Sequence, residues 1–207
     1  MDAIFIDIET TGDDPNRFQM YEFAAVPVIG GVIRRDLMWH TYIDHRTWKI
    51  QAEIFKMVAE RLMNPQEGVP HIKPYEWGRI FRNKVREWAD LPATFGGKNF
   101  AGFDFQFMLN VDSELRDLKT ELFRYSHIEI GSMFIEKGDH KILSLADCRK
   151  RAMEEGAPIS VENTHFADAD ALLCAELYCW EVFGNILYGK QHPERSDSVK
   201  IYSAGAA

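Results

Sequence analysis

The sequence predicts an α/β domain, and three observations carry that prediction. Residues 4–9 alternate isoleucine with Phe5, Asp7 and Glu9, which is the period of a strand with two unlike faces. Residues 21–29 and 32–43 are rich in β-branched and aromatic side chains and flank Gly30-Gly31, the pattern of an antiparallel hairpin. From residue 50 onward the apolar spacing changes to threes and fours, the period of helices.

Each element follows from local pattern. Thr10, Thr11 and Gly12 end the first strand, and Gly12-Asp13-Asp14-Pro15 carries turn chemistry. The isoleucine face packs beneath, leaving Asp7 and Glu9 side by side near the carboxyl end of the strand. Pro27, which cannot donate to a ladder, marks a bulge or an edge in the second strand. Ile50, Ile54, Met57, Val58, Arg61 and Leu62 form a mostly apolar helical stripe. Pro65, Gly68, Pro70 and Pro74 then interrupt the chain. A helix over 75–89 sets Trp77, Ile80, Phe81, Val85 and Trp88 on one face, an aromatic stripe whose plain reading is core packing. After a short piece around 95–101, Asp104 opens a helix as the single charge in an apolar run. Ser113 is a good N-cap for the next helix, which carries Leu115, Leu118 and Leu122, and residues 125–130 are a candidate strand. Ser144-Leu145-Ala146-Asp147 is a capping box opening a helix that stops at Gly156, with Arg149-Lys150-Arg151 as a solvated face. The last helix is predicted over 167–187, and the polar segment 189–207 is expected to be a flexible tail.

Composition bounds the function. A chain of 207 residues is long enough for one domain with a proper core. The net charge of -8 argues against gripping nucleic acid by bulk electrostatics, although acidic residues that hold metal ions are locally neutralised. Cys148, Cys174 and Cys179 form no C-x-x-C pair and fall in apolar helical patterns, so buried, reduced thiols in a cytoplasmic protein are expected. Neither a secretion signal nor a bilayer-spanning run is evident.

Two carboxylates on one face of an otherwise apolar strand need partners, and a divalent cation satisfies both at once. A strand end that simply surfaces in solvent is the plain alternative. Near the end, His165 precedes Asp168 and Asp170 at the start of the last helix, where a helix amino end by itself favours a carboxylate and a loop histidine by itself bonds to backbone. Together, though, three segments supply acidic groups on otherwise apolar elements, with a histidine beside the last.

Asp-x-Glu-Thr-Thr-Gly, Asn-x-x-x-Phe-Asp and His-x-Ala-x-x-Asp-Ala occur in that order. By these motifs the chain resembles the DEDDh exonucleases, the superfamily of the polymerase III epsilon proofreading subunit, RNase T and oligoribonuclease. The resemblance implies an RNase H-like fold, a mixed five-stranded sheet flanked by helices, over a single domain of residues 1–188. Against that family, the stretch at about 45–94 is long and helical and reads as an insertion, and Lys98 stands where relatives often carry histidine. The resemblance also implies two Mg2+ or Mn2+ ions held by Asp7, Glu9, Asp104 and Asp170, with Asp7 bridging both. His165 would be the general base that takes a proton from the attacking water, a task for which histidine is suited. Thr10, Thr11 and Asn99 match positions that hold the terminal nucleotide. The implied activity is 3′→5′ hydrolysis of single-stranded ends, releasing nucleoside 5′-monophosphates. DNA is favoured over RNA, because FIDIETTG is similar to proofreading subunits. A polymerase or processing partner and a homodimer are compatible with it. The competing reading is a module that binds nucleic-acid ends or a polymerase without cleaving. A third is an interaction protein docking through residues 50–90, which predicts an exposed apolar stripe there.

Overall fold

The structure, a computed structural model, describes residues 2–117, 119–162, 165–189 and 200–203. The chain opens with strands β1 (Ala3–Thr10), β2 (Met20–Ile29), β3 (Val32–Ile33) and β4 (Trp39–Ile43). A 3-10 turn at Ala52–Ile54 leads into α1 (Phe55–Met63), followed by β5 (His71–Ile72) and α2 (Pro74–Trp88). Next come β6 (Phe95–Gly97), α3 (Asp104–Val111), α4 (Glu114–Asp117), α5 (Lys119–Leu122), β7 (Ile128–Glu129) and α6 (Ile130–Met133). The chain finishes with α7 (Leu145–Glu154), α8 (Ala167–Phe183), β8 (Asn185–Tyr188) and β9 (Lys200–Ser203).

Along the sheet the order is β7-β6-β1-β2-β3-β8-β9, with β4 also paired to β2 and β5 to β4. β1 runs antiparallel to β2 and parallel to β6, so the sheet is mixed. The five expected strand positions are β1, β2, the β3–β4 line, β6 and β7. β5, β8 and β9 extend the sheet to nine strands among the described residues.

Alternation along β1 creates two cores. Ile4, Ile6 and Ile8 face Trp77, Phe81, Val85 and Trp88 of α2, and Phe107 and Met108 of α3. The aromatic stripe of α2 is thus core, with the Trp77 and Phe81 rings stacked 5.1 Å apart. On the other face Phe5, Ala24, Val26 and Val28 meet the buried side of α8, and Phe5 packs 5.0 Å from the Tyr178 ring. Gly97 lets β6 approach β1 closely, since a Cβ there would lie 2.6 Å from the Ile6 carbonyl oxygen. Cys148, Cys174 and Cys179 are buried free thiols, as expected. Glu176, a fully buried acid of α8, accepts from the Ser160 amide at 3.0 Å and from the Ser160 and Tyr188 hydroxyls. A third, small cluster joins Tyr21, Tyr42 and Val58 and holds α1 to the sheet. α1 buries only Val58 and leaves Phe55 and Met63 57% and 74% exposed. No described helix is long and apolar enough to cross a membrane.

Several boundaries differ from the sequence expectation. The strand expected over 32–43 is broken between β3 and β4, opposite Pro27, whose carbonyl accepts from the Arg34 amide at 2.9 Å. Pro27 has no N–H to give in return, so the ladder cannot run on past it. The helix expected over 167–187 ends at Phe183, because Gly184 takes a left-handed conformation (φ 67°) and Asn185–Tyr188 leave as β8, parallel to β3. The helix opened by Ser113 is two short helices, α4 and α5, and the side chain of Leu118 lies outside the described residues. Only Ile128–Glu129 of the 125–130 candidate is strand. Of the expected tail, residues 200–203 pair antiparallel with β8, and 190–199 and 204–207 lie outside the described residues. The capping box at Ser144 is present as expected, with Ser144 Oγ accepting from the Asp147 amide at 3.1 Å.

The packing predicts that Phe81→Ala costs about 3–5 kcal/mol in urea unfolding, the usual cost of emptying a buried aromatic site. Phe55→Ala, at an exposed position of α1, is expected to stay within about 0.5 kcal/mol of the parent. Equal losses in the two variants would contradict the assignment of α2 to the core.

Candidate active site

Asp7 and Glu9 lie near the carboxyl end of β1 on the face turned to α8, and Glu9 pairs in register with Glu22 of β2. Asp170 sits in the first turn of α8, above them. One carboxylate oxygen from each of Asp7, Glu9 and Asp170 lies within 4.8 Å of the others. Asp104, in the first turn of α3 and 2% exposed, is not within that radius of all three. Its charge is nevertheless the first, after burial, to push the Asp7 carboxyl well above its ordinary range, ahead of Asp170, Glu9 and Glu22. Burial likewise raises Asp104 and Asp170. Glu9 is pushed from 4.5 to about 7, chiefly by burial, although Arg61 works against the shift.

Magnitudes decide what this cluster requires. Two unit charges 4.8 Å apart repel by about 3 kcal/mol at an effective dielectric of about 20, so three such pairs cost about 10 kcal/mol. That matches the whole stability of a typical domain. The acids must therefore take up protons, pair with a cation side chain or hold a metal ion.

The other expected residues take distinct positions. His165 is exposed with φ 75°, and its backbone amide donates to Asp170 Oδ2 at 3.0 Å. Its ring makes no hydrogen bond among the described residues. No ring-to-backbone bond of a plain loop histidine is found among the described residues, and the imidazole stays available beside Asp170. Thr10 Oγ1 donates to the Gly12 carbonyl at 2.7 Å. Thr11 is fully buried, and its hydroxyl accepts from the Gln19 amide at 2.9 Å, which occupies it within the turn. Asn99 is exposed with φ 61°, and its amide donates to Glu129 Oε2 at 2.7 Å.

Three sets of residues at the site escape motif reading. Arg61 of α1 reaches over β1 and pairs with Glu9 Oε2 at 2.9 Å. Its signal in the sequence is a lone cation in an otherwise apolar helical stripe. Glu22, fully buried, takes His40 Nε2 at 2.9 Å and the Ala167 amide at 3.2 Å, and His40 Nδ1 lies 3.8 Å from Asp168. This chain of contacts ties β2, β4 and the amino end of α8 together and so fixes where Asp170 stands. Lys98 pairs with Glu129 at 3.3 Å, which gives a role to the residue standing in place of the frequent histidine.

The donor set fits a hard divalent cation. Every group in it offers oxygen, and Asp170 Oδ1 is buried without a hydrogen-bond partner. A model of the RNase T exonuclease family matches residues 4–178. The chain belongs to the DEDDh exonuclease family. As such it is a 3′→5′ exonuclease, a hydrolase of phosphodiester bonds with an RNase H-like fold. A search of curated proteins finds no match. Among solved structures, this exonuclease is similar to cell-death related nuclease 4 (CRN-4), with TM-score 0.60 and 13% identity over 90% of this chain and 67% of that one. It is also similar to Pop2p of S. pombe in an Mg2+- and Mn2+-bound form, with TM-score 0.59 and 12% identity over 86% and 81%. The catalytic unit of Neurospora crassa Pan2 gives TM-score 0.55 and 19% identity over 88% of this chain, which spans 27% of that one. At these identities the likeness is one of fold. Members of the family depend on divalent metal ions.

The raised carboxyls of the exonuclease set a pH dependence for the metal-free protein. A carboxyl whose folded pKa lies above its unfolded value contributes full stability below the unfolded value and loses it as pH rises through the folded one. In EDTA, the urea midpoint is therefore expected to fall as pH rises from 4.5 through about 7, the window of Glu9. Glu9→Gln and Asp7→Asn should flatten that fall, and magnesium should remove it. A parent midpoint no more pH-sensitive than those of the two variants would contradict the raised carboxyls.

Proposed function

We propose that this exonuclease cuts single-stranded nucleic acid from the 3′ end by a two-metal mechanism, with DNA favoured over RNA and nucleoside 5′-monophosphates as products. The observation that carries the reading is the convergence of Asp7, Glu9 and Asp170 within 4.8 Å, next to buried Asp104 and beneath the loop of His165. Asp7 would contact two Mg2+ or Mn2+ ions, Glu9 and Asp170 the first, and Asp104 the second. Such a pair supplies the charge that stabilises the attacking and leaving oxygens of an in-line displacement. The residues of the chain do the rest. The His165 imidazole accepts the proton of the attacking water, and its exposed place at the amino end of α8 leaves the ring open to solvent. Thr10 and Thr11, in the turn that follows Glu9, and Asn99, exposed after β6, would hold the terminal nucleotide. DNA is favoured on the similarity of residues 5–12 to proofreading subunits. A polymerase or a nucleic-acid-processing complex is a compatible partner for such an activity.

The test is degradation of 3′-labelled and 5′-labelled single strands of DNA and RNA of one sequence, with magnesium, manganese or EDTA. Metal-dependent laddering from the 3′ end is expected, faster on DNA. Tight binding without cleavage would favour the end-binding module instead. Asp7→Asn and Asp170→Asn are expected to abolish turnover with the fold retained, and turnover in either would remove the two-metal assignment. His165→Ala should slow cleavage by about a hundredfold and alter the pH–rate profile.

A further inference from the structure

Arg61 stands in an unusual position for a cation. It comes from α1, in the long stretch between β4 and β6, yet its guanidinium reaches the acids of β1. Nη1 makes an ion pair with Glu9 Oε2 at 2.9 Å and donates to the Tyr21 hydroxyl at 3.1 Å. The guanidinium carbon lies 4.8 Å from the Phe166 ring centroid, one residue from His165. Nη2 and Nε make no hydrogen bond among the described residues, and the side chain is 15% exposed. A guanidinium offers five N–H donors in a planar fork, so most of this one is unspent.

Glu9 cannot serve two cations equally. An ion on its carboxylate repels the guanidinium and draws on the same negative charge, so occupancy by one weakens the other. Tyr21 and Phe166 still hold Arg61 over the site when Glu9 is withdrawn, rather than releasing it to bulk solvent. Its open donors then lie next to Phe166, the residue after His165, where the proposed function has the strand present its 3′ end. A fork of this kind matches a phosphate in two-point contact.

We propose that Arg61 is a substrate-binding residue with two positions. In the metal-free enzyme it neutralises Glu9, and when Glu9 holds an ion it turns to a backbone phosphate next to the terminal nucleotide. Ion uptake and strand binding are thereby linked through one side chain delivered by α1. The inference rests on Glu9 being a metal ligand.

Calorimetry with Mn2+ on the full chain, without nucleic acid, tests the first position. Arg61→Gln should bind Mn2+ at least about fivefold more tightly than the parent, the lower end of typical coupling between sites. Arg61→Lys keeps the charge and should stay near the parent. Fluorescence anisotropy of a labelled single strand in Ca2+, where cleavage is avoided, tests the second. Arg61→Gln should weaken the strand about tenfold, the loss of one charge-assisted bond, and lower the salt slope by about 0.7. Unchanged or weaker Mn2+ binding in Arg61→Gln overturns the proposal and leaves Arg61 as a brace between α1 and β1. Tighter Mn2+ with unchanged strand binding overturns the second position. Should Arg61→Gln fail to fold, an Arg61→Lys variant with parental Mn2+ affinity and weakened strand binding supports the phosphate contact, and parental values in both assays overturn it. If the parent binds Mn2+ no better than Asp7→Asn does, the two-metal reading itself has failed, an outcome distinct from the others.

Discussion

Asp7, Glu9 and Asp170 repel one another strongly within 4.8 Å, and the fold gives them no room to separate. Asp7 and Glu9 are fixed by the ladder between β1 and β2, while Asp170 is carried by a helix whose middle is buried against that same sheet. Separating the backbones that carry them means opening that core. The Ile4, Ile6 and Ile8 side of β1 anchors the strand from beneath, since each fully buried isoleucine contributes about 1.5–3 kcal/mol. Charge concentrated on one face is thus sustained by apolar packing on the other.

The surrounding contacts answer that repulsion in graded ways. Arg61 compensates Glu9 directly, while the buried Asp7 and Asp104 are left with raised proton affinities. Glu22 and Asp168 stand one step away with His40 between them, and their contacts hold the amino end of α8 in place. Glu176, further down α8, shows the opposite solution: a buried acid surrounded by donors from Ser160 and Tyr188, with Arg35 3.5 Å away. Glu176 has donors on both of its oxygens, whereas Asp170 keeps one buried oxygen without a partner.

Much of the fold and site is legible in the sequence, for reasons that are local. The two faces of β1 follow from strict alternation, the hairpin from Gly30-Gly31, and the start of α7 from Ser144 and Asp147. Asp7, Glu9, Asp104 and Asp170 stand out because each interrupts or opens an apolar run. What is not legible depends on pairing across long separations. Ile186 and Leu187 continue the apolar pattern of α8, and it is pairing, with β3 about 150 residues earlier and with β9, that makes them a strand. The break before β4 depends on Pro27 facing it from the neighbouring strand. Glu22 reads as an ordinary strand residue until His40 and the Ala167 amide reach it. Arg61 is visible in the sequence as an oddity, but its partner lies 52 positions away on β1.

The three thiols carry a consequence of a different kind. Burial pushes Cys148 up to about 11 and Cys179 up to about 12, and Cys174 is raised by burial and by the nearby site acids. A thiol in that condition holds almost no thiolate at neutral pH and offers no path to a reagent. Cys174 and Cys179 lie on the same helix as Asp170. Alkylation of these positions therefore reports how often α8 lifts from the sheet, which makes the native sequence its own stopwatch for the opening of the helix that carries the last acid.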